Sequence, residues 1–297
     1  MDKHIGHEQW SGRTDGQPWM QRTLIKIFKV TDIRIMYFMM GWVVPFYMLR
    51  NHKEYLAMYR FFRKRFGYGR VKSFWNVFKN HLKFGQVILD RFAVYAGKRF
   101  KFIIEGGELF DYLAKQPSGF VQLSSHVGNY EMAGYSLVSH DKRFNAVVYA
   151  GETATVMRNR AAMFAPNNMR MILVGNDMSH IFALNQALGD GEIVSVPGDR
   201  IFGSPRYVEC DFFGEVARFP MGPFAMAIQR DVPLLAVFVM KISTMGYKIY
   251  VRKIDADAAL SRKERIEAAA KSFASELEAI VRQYPTQWFN YYDFWSH

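Results

Sequence analysis

The hydrophobic pattern changes near residue 100, and the change predicts two regions of different structure. Residues 32–96 carry apolar positions at helical spacing, whereas from about residue 100 short β-rich runs alternate with helical segments. Near-continuous apolar strands separated by helices are typical of an open, mostly parallel sheet covered on both faces. We therefore expect an α/β domain over 100–297, preceded by a helical region over 1–99. The predicted strands are 120–123, 146–150, 170–174, 192–197, 233–240 and 247–254.

Helical spacing is clear at two places in the second region, 178–191 and 261–285. A third helix is predicted to start near Phe224, directly after a Gly- and Pro-rich block at 212–223 that we interpret as two apolar turns. Backbone amides at such a helix start, with Gly222 beside them, are able to hold an anion. A tight loop that packs the helix on the sheet is the alternative.

The segment Ile35–Leu49 is a run of fifteen apolar residues between Arg34 and Arg50. A helix needs roughly 20 such residues to span a bilayer, so a full span is not expected. The flanking cations and the aromatic residues within the run favour a shallow membrane anchor, and a buried core helix is the alternative. The first 20 residues contain no apolar stretch typical of a signal peptide.

The formal net charge of +12 is concentrated in one segment. Residues 50–101 contain 14 Lys and Arg against Glu54 and Asp90, a net of +12. Such asymmetry indicates an anionic partner, either nucleic acid, a phospholipid surface or an acidic carrier protein. Large apolar side chains alternate with these cations at helical spacing, which favours a lipid surface over a solvated face. Zinc-ligand spacing and aromatic RNA-binding motifs are missing from the sequence, so nucleic acid is disfavoured.

Cysteine usage narrows the chemistry further. Cys210 is the single cysteine, which excludes an intramolecular disulfide framework and a Cys-rich metal site. A single cysteine also suits a reducing compartment. We expect neither a metal nor a cofactor.

Candidate chemistry is densest in Phe120–Gly134, FVQLSSHVGNYEMAG. The predicted strand ends just before His126, and Glu131 follows five residues later, about one turn into a predicted helix. A carboxylate on one imidazole nitrogen fixes the tautomer and leaves the other nitrogen to act as a general base. A structural histidine near a strand end is the alternative interpretation.

A second polar turn follows another predicted strand. The sequence VPGDR at 196–200 brings Asp199 and Arg200 to the carboxyl end of that strand. Functional sites of open α/β sheets collect at these ends, so both turns are expected to face one crevice. A surface turn with a local ion pair is equally compatible with the sequence.

Together these residues resemble the late lipid A acyltransferases, a branch of the lysophospholipid acyltransferase superfamily with a His-x4-Glu signature. The resemblance lies in SSHVGNYE, in Asp199–Arg200 after a strand, in the block 212–227, and in the closing helix with YPTQWFNYY at 284–292. It runs from about residue 100 to the end of the chain. The resemblance implies a glycerol-3-phosphate acyltransferase-like fold at the cytoplasmic face of the bacterial inner membrane, in lipid A or lipopolysaccharide synthesis.

The resemblance also implies the reaction and its residues. A fatty acyl group would pass from acyl carrier protein or coenzyme A to a hydroxyl of a lipid A-like or other membrane lipid, with His126 as base and Glu131 orienting it. Candidates for oxyanion or substrate binding are Arg170, Asp199, Arg200, Asn129 and Gly222. Two alternatives remain open, a non-catalytic protein that binds lipid or carrier protein, and an acyl thioesterase. The sequence contains no G-x-S-x-G nucleophile motif, which disfavours a serine thioesterase.

Overall fold

The computed structural model describes residues 18–149, 168–174, 179–201 and 205–295. Within these residues an N-terminal helical region precedes a sheet with helices around it. The helices are α1 (Pro18–Val30), α2 (Ile33–Arg50), α3 (His52–Arg65), α4 (Arg70–Tyr95), α5 (Gly107–Lys115), α6 (Ser179–Gly189), α7 (Gly222–Arg230) and α8 (Arg262–Gln283), with 3-10 helices at Tyr130–Tyr135 and Pro285–Gln287.

A seven-stranded sheet forms the centre, in the order β1-β9-β8-β2-β5-β3-β4. All of its pairings are parallel except that between β8 and β9. These strands are β1 (Lys101–Glu105), β2 (Phe120–Ser124), β3 (Phe144–Tyr149), β4 (Met169–Val174), β5 (Ile193–Pro197), β8 (Leu234–Ser243) and β9 (Gly246–Ile254), and a separate hairpin is made of β6 (Tyr207–Phe212) and β7 (Glu215–Pro220). The mostly parallel α/β sheet expected from the sequence is confirmed.

All six predicted strands are present, within a few residues of their predicted ends, but β1 and the hairpin were not predicted. The interpretation of 212–220 as apolar turns is wrong. Residues of β6 alternate between exposed and buried, and Phe213 and Gly214 form the reversal at positive φ of 56° and 75°. This alternation is the signature of a strand with one buried face. The predicted helix after it begins at Gly222.

The helical region shares its core with the sheet. Phe61 and Phe62 of α3 and Val77 of α4 are buried in the same apolar cluster as Phe273 of α8 and Trp288 near the C-terminus. The four N-terminal helices are therefore packed on the α/β region rather than linked loosely to it. Residues 1–17 of the predicted N-terminal region, Ala150 of a predicted strand and Met178 of a predicted helix lie outside the described residues.

The predicted anchor lies inside α2, which continues through Pro45. Among the helices in the described part of the chain, none combines the length and the hydropathy needed to cross a bilayer.

Candidate active site

Two neighbouring strands end at the same level and carry the reactive residues just beyond their ends. Strands β2 and β5 are parallel, and their register pairs Ser124 with Pro197. His126 and Asp199 each follow these positions by two residues, so the sheet brings together residues that are 73 positions apart in sequence. The expectation that both polar turns face one crevice agrees with this register.

Asp199 holds His126 by both its backbone and its ring. The Nδ1–H of His126 donates to Asp199 Oδ1 at 2.9 Å, and the backbone N–H of His126 donates to Asp199 Oδ2 at 2.7 Å. The Asp199 carboxylate is 1% exposed, whereas the His126 side chain is 13% exposed. Because Nδ1 faces Asp199, any acid–base chemistry of this ring would use Nε2.

The orienting carboxylate was assigned from the sequence to Glu131, and the structure corrects that assignment. Glu131 lies in the 3-10 helix rather than one turn into an α-helix. Its carboxylate forms an ion pair with Arg91, with 2.8 Å between Oε2 and Nε, and it accepts a hydrogen bond from Tyr95 OH at 2.9 Å; both partners are on α4. Glu131 thus ties the loop after His126 to α4, while Asp199 occupies Nδ1.

Electrostatics favour a neutral imidazole beside an ionised carboxylate. Burial lowers the pKa of His126, and the positive charge of Arg200 lowers it further, although Asp199 acts in the opposite direction. Burial by itself raises the pKa of Asp199, but His126 and Arg200 outweigh it and hold that pKa below its usual value. A neutral imidazole beside an ionised carboxylate is the state that a general base requires.

The loop that carries His126 is fixed by the C-terminal segment. The His126 carbonyl accepts from Phe289 N at 2.9 Å, and Gly128 N donates to Gln287 O at 2.8 Å. Gly128 has φ of 62°, and a Cβ there would lie 2.0 Å from the Val239 carbonyl oxygen, so only glycine fits. The His126 loop is therefore in contact with both β8 and residues 287–289.

Asn129 is a structural residue of this loop rather than a substrate contact. It is 1% exposed. Its backbone N–H donates to Val239 O at 2.8 Å, and its side-chain Nδ2 donates to the Tyr247 hydroxyl at 3.2 Å. The substrate-binding role expected for Asn129 from the sequence is therefore corrected, because its side chain faces the interior.

Arg200 continues from Asp199 into the same region. Its guanidinium donates to Phe289 O at 3.1 Å and lies 4.5 Å from the centre of the Tyr292 ring. The turn before it needs a glycine, because a Cβ at Gly198 would lie 2.8 Å from the Phe273 ring. Arg200 is thus a buried, well-anchored cation beside the His126–Asp199 pair.

Arg170, which the sequence placed among the oxyanion candidates, lies at the other end of the sheet. It is exposed on the edge strand β4, where it pairs with Asn145. Asn145 is in register with Val194, and Val194 with Val121. Because His126 follows Val121 by five residues, Arg170 lies about 16 Å from the site along the strands, and three strands away across them. This distance excludes it from the reactive centre.

Gly222 starts α7 directly after β7. Nothing lies within 4 Å of where a Cβ would be, so the helix start has space beside it. Its part in anion binding stays a prediction.

A sealed polar cluster, which the sequence did not predict, lies behind the loop. Lys241 Nζ is 2.5 Å from Asp90 Oδ2, and both side chains are almost fully buried. Asp90 also accepts hydrogen bonds from the hydroxyls of Tyr37 and Tyr247. Since Tyr247 accepts from Asn129, a continuous chain of contacts joins α2 and α4 to the His126 loop. A lone aspartate in a basic amphipathic helix was the available signal for Asp90.

Across the described ranges there is no group of three or more His, Cys, Asp or Glu side chains that could hold a metal ion. Cys210 is buried, and burial raises the pKa of its thiol to about 12, which makes it a poor nucleophile. The charged and titratable side chains that the structure brings together beyond β2 and β5 are those of His126, Asp199 and Arg200.

Residues 84–295, well over half of the chain, match the family of bacterial lipid A biosynthesis acyltransferases, and the chain belongs to that family. The family that the resemblance indicated is thus confirmed. The family match takes in the His126 loop, the Asp199–Arg200 turn and the C-terminal segment.

Two known proteins are similar to the chain. The phosphatidylinositol mannoside acyltransferase of Mycolicibacterium smegmatis is 24% identical over 172 residues, which cover 57% of this chain and 54% of the relative. The match thus spans about half the length of that relative. The crystal structure of the 1-acyl-sn-glycerophosphate (LPA) acyltransferase PlsC from Thermotoga maritima superposes with a TM-score of 0.38 and 13% identity, covering 89% of this chain and 98% of that one.

Proposed function

We propose that this acyltransferase moves a fatty acyl group from acyl carrier protein or coenzyme A to a hydroxyl of a lipid A-like or other membrane lipid. His126 is the general base and Asp199 its orienting partner. The observation that carries the proposal is the hydrogen bond of 2.9 Å between His126 Nδ1 and Asp199 just beyond two parallel strands. Both donors are cytoplasmic thioesters, which suits the cytoplasmic face of a bacterial inner membrane.

In the proposed mechanism, Nε2 of His126 removes the proton of the acceptor hydroxyl as its oxygen attacks the thioester carbonyl carbon. Asp199 stabilises the imidazolium that forms. Arg200, whose charge is felt at both members of the pair, is the proposed source of positive potential for the oxyanion. The tetrahedral intermediate then collapses, the carbon–sulfur bond breaks, and the imidazolium returns the proton to the leaving thiolate.

The acceptor would be reached from a membrane surface on which α2 lies. One stripe of α2, at spacings of three and four residues, is fully apolar and exposed: Ile35, Phe38, Met39, Trp42, Val43, Phe46 and Leu49. Exposed cations lie at the two ends of the stripe, namely Arg34 before it and Arg50 and Lys53 after it. An apolar stripe rimmed by cations fits an anionic lipid interface.

The catalytic proposal is tested by incubating the purified protein with acyl carrier protein or coenzyme A thioesters and with lipid extracts, followed by mass spectrometry of the lipids. We expect an acylated lipid that His126→Ala does not form, since general base catalysis contributes roughly 100- to 10,000-fold. Full activity of His126→Ala would refute the mechanism. Thioester hydrolysis that is independent of lipid would instead indicate a thioesterase.

The membrane surface has its own test in vesicle flotation. Wild-type protein is expected to float with anionic vesicles, and Trp42→Glu/Phe46→Glu to remain in solution, because two charges would enter the interface. Equal flotation of both proteins would contradict the assignment of this stripe.

A further inference from the structure

A cavity of about 140 Å³ lies between α3 and the C-terminal segment, outside the residues assigned to the reaction. A single water needs roughly 10–15 Å³ by the same measure. The cavity therefore has room for a group much larger than water, such as a phosphate.

Cations dominate the rim of this cavity. Arg60 and Lys64 lie one helical turn apart on α3, and both are exposed. Neither forms an ion pair with any residue that the structure describes. Glu215, a carboxylate of the lining, is held by Arg65 at 2.5 Å, so their charges offset each other. The lining as a whole has three cations and two carboxylates.

The inner wall is aromatic and rigid. The Arg65 guanidinium lies 4.0 Å from the centre of the Trp295 ring, and Trp295 Nε1 donates to Phe212 O at 3.1 Å. Trp295 also stacks on Phe61, with 14° between the ring planes. A preformed wall of this kind lowers the ordering cost of binding.

The wall of the cavity is linked to the reactive centre by the C-terminal segment. Phe289 N donates to the His126 carbonyl, and Phe289 O accepts from Arg200. Three residues later, Tyr292 lines the cavity with its ring over the Arg200 guanidinium. Tyr292 thus contacts Arg200 and also lines the cavity that contains Arg60 and Lys64.

We propose that the cavity is a phosphate subsite, in which Arg60 and Lys64 hold the phosphate of a substrate whose reacting group lies at His126. The inference rests on the proposed acyl transfer. Phosphate fits because Arg60 and Lys64 are neighbouring cations without an ion pair among the described residues, and because the lining has one more cation than it has carboxylates. The same chemistry has two sources, the phosphate that ends the pantetheine arm of both thioester donors, and the phosphate of an anionic lipid headgroup.

Binding by calorimetry tests the subsite without turnover, using two pairs of probes. The donor pair is an S-decyl thioether of 4′-phosphopantetheine and the same thioether of pantetheine. The lipid pair is dihexanoyl phosphatidic acid and dihexanoyl glycerol. The variant is Arg60→Ala/Lys64→Ala, and the matched control is Lys79→Ala/Arg99→Ala, which removes the same two charges from exposed positions outside the cavity.

For wild type and control we expect the phosphorylated member of one pair to bind about tenfold more tightly than its neutral counterpart, as suits partly exposed charge-assisted hydrogen bonds. In Arg60→Ala/Lys64→Ala that ratio should fall close to one. Loss of the ratio in the donor pair assigns the phosphate to the thioester, and loss in the lipid pair assigns it to the headgroup. A ratio that survives in both pairs, or that falls equally in the control, overturns the proposal.

The same titrations in His126→Ala separate this inference from the proposed function. Binding does not need the base, so the phosphate preference should persist in that variant. If wild type fails to transfer acyl groups while the preference persists, the proposed function fails and the subsite stands. If transfer is normal but the preference does not depend on Arg60 and Lys64, only the subsite fails.

Discussion

Two buried aspartates, Asp199 and Asp90, meet basic side chains in opposite settings. Asp199 lies beyond the strand ends and its partner His126 is 13% exposed, whereas Asp90 lies on α4 and its partner Lys241 is 1% exposed. The pKa of Asp199 lies below its usual value because His126 and Arg200 outweigh burial. The pKa of Asp90 is raised because burial outweighs Lys241 and two tyrosine hydroxyls.

The contrast shows what makes a buried carboxylate useful for catalysis. Desolvation acts on both aspartates, but only the pair at the strand ends presents a titratable partner to the outside. Desolvating both members of a sealed ion pair costs about as much as their attraction contributes, so such a pair is a weak source of stability. We therefore assign Asp199 to chemistry and Asp90 to the packing of α2 and α4 against the sheet.

The largest expected effect is that of Asp199→Asn on catalysis. The amide keeps the size of the side chain but no longer stabilises the imidazolium, so kcat should fall by roughly 100- to 10,000-fold. The measurement is steady-state acyl transfer, with circular dichroism to verify the fold. If the kcat of Asp199→Asn stayed within a few fold of the wild-type value, the proposed catalytic role of Asp199 would be contradicted.

Lys241→Met should act on stability instead. It leaves Asp90 buried without its cation, and breaking such a pair typically costs about 3–5 kcal/mol in the free energy of unfolding. Urea denaturation measures this loss. Lys248→Met is the matched control, because the partly exposed pair of Lys248 and Glu105 is screened by solvent and should contribute much less to stability. Equal losses in the two variants would contradict the assignment of Asp90.

The pH profile sharpens the assignment of the orienting carboxylate. The base must be neutral, and burial lowers the pKa of His126, so the acid limb of kcat/KM should fall below the usual histidine pKa of about 6.5. Asp199 raises the pKa of His126, so Asp199→Asn should move the limb to lower pH. A limb that stays in place would mean that Asp199 does not act on the base.

Glu131→Gln is expected to have the smallest effect. Its carboxylate bonds Arg91 and Tyr95 of α4, so the change should loosen the loop and lower kcat by about tenfold without moving the acid limb. The readout is the pH profile rather than the rate, since a rate loss alone does not distinguish positioning from direct contact. A shifted limb would return the orienting role to Glu131.

The two carboxylates Glu131 and Asp199 show which part of the site can be predicted from the sequence. The sequence favoured Glu131 as the partner of His126 because it lies only five residues away, and short separations can be recognised in a sequence. In the structure the partner of His126 is Asp199, because β5 lies next to β2 in the sheet. Strand order depends on long-range packing, which hydrophobic periodicity does not encode. The sequence predicted that both turns lie at strand ends. The register of β2 and β5, which brings His126 and Asp199 to the same level, is visible only in the structure.

The same limit explains the other differences. The strands with continuous apolar runs were predicted, because burial on both faces leaves that pattern. The hairpin of β6 and β7 was missed because its Gly214 and Pro220 suggested turns, although its alternation was present. The Asp90 cluster joins side chains of α2, α4, β8 and β9, and no local sequence pattern predicts contacts among four separate elements.

The bonds between the His126 loop and residues 287–289 also determine when the protein acquires its chemistry during synthesis. Val127 bridges to Trp288, and the neighbouring residues exchange backbone hydrogen bonds across the same gap of about 160 positions. Contacts at such separation form only after the later partner has left the ribosome. A nascent chain that has already folded its first strands therefore still lacks the backbone hydrogen bonds that position His126 until residues 287–289 have been made.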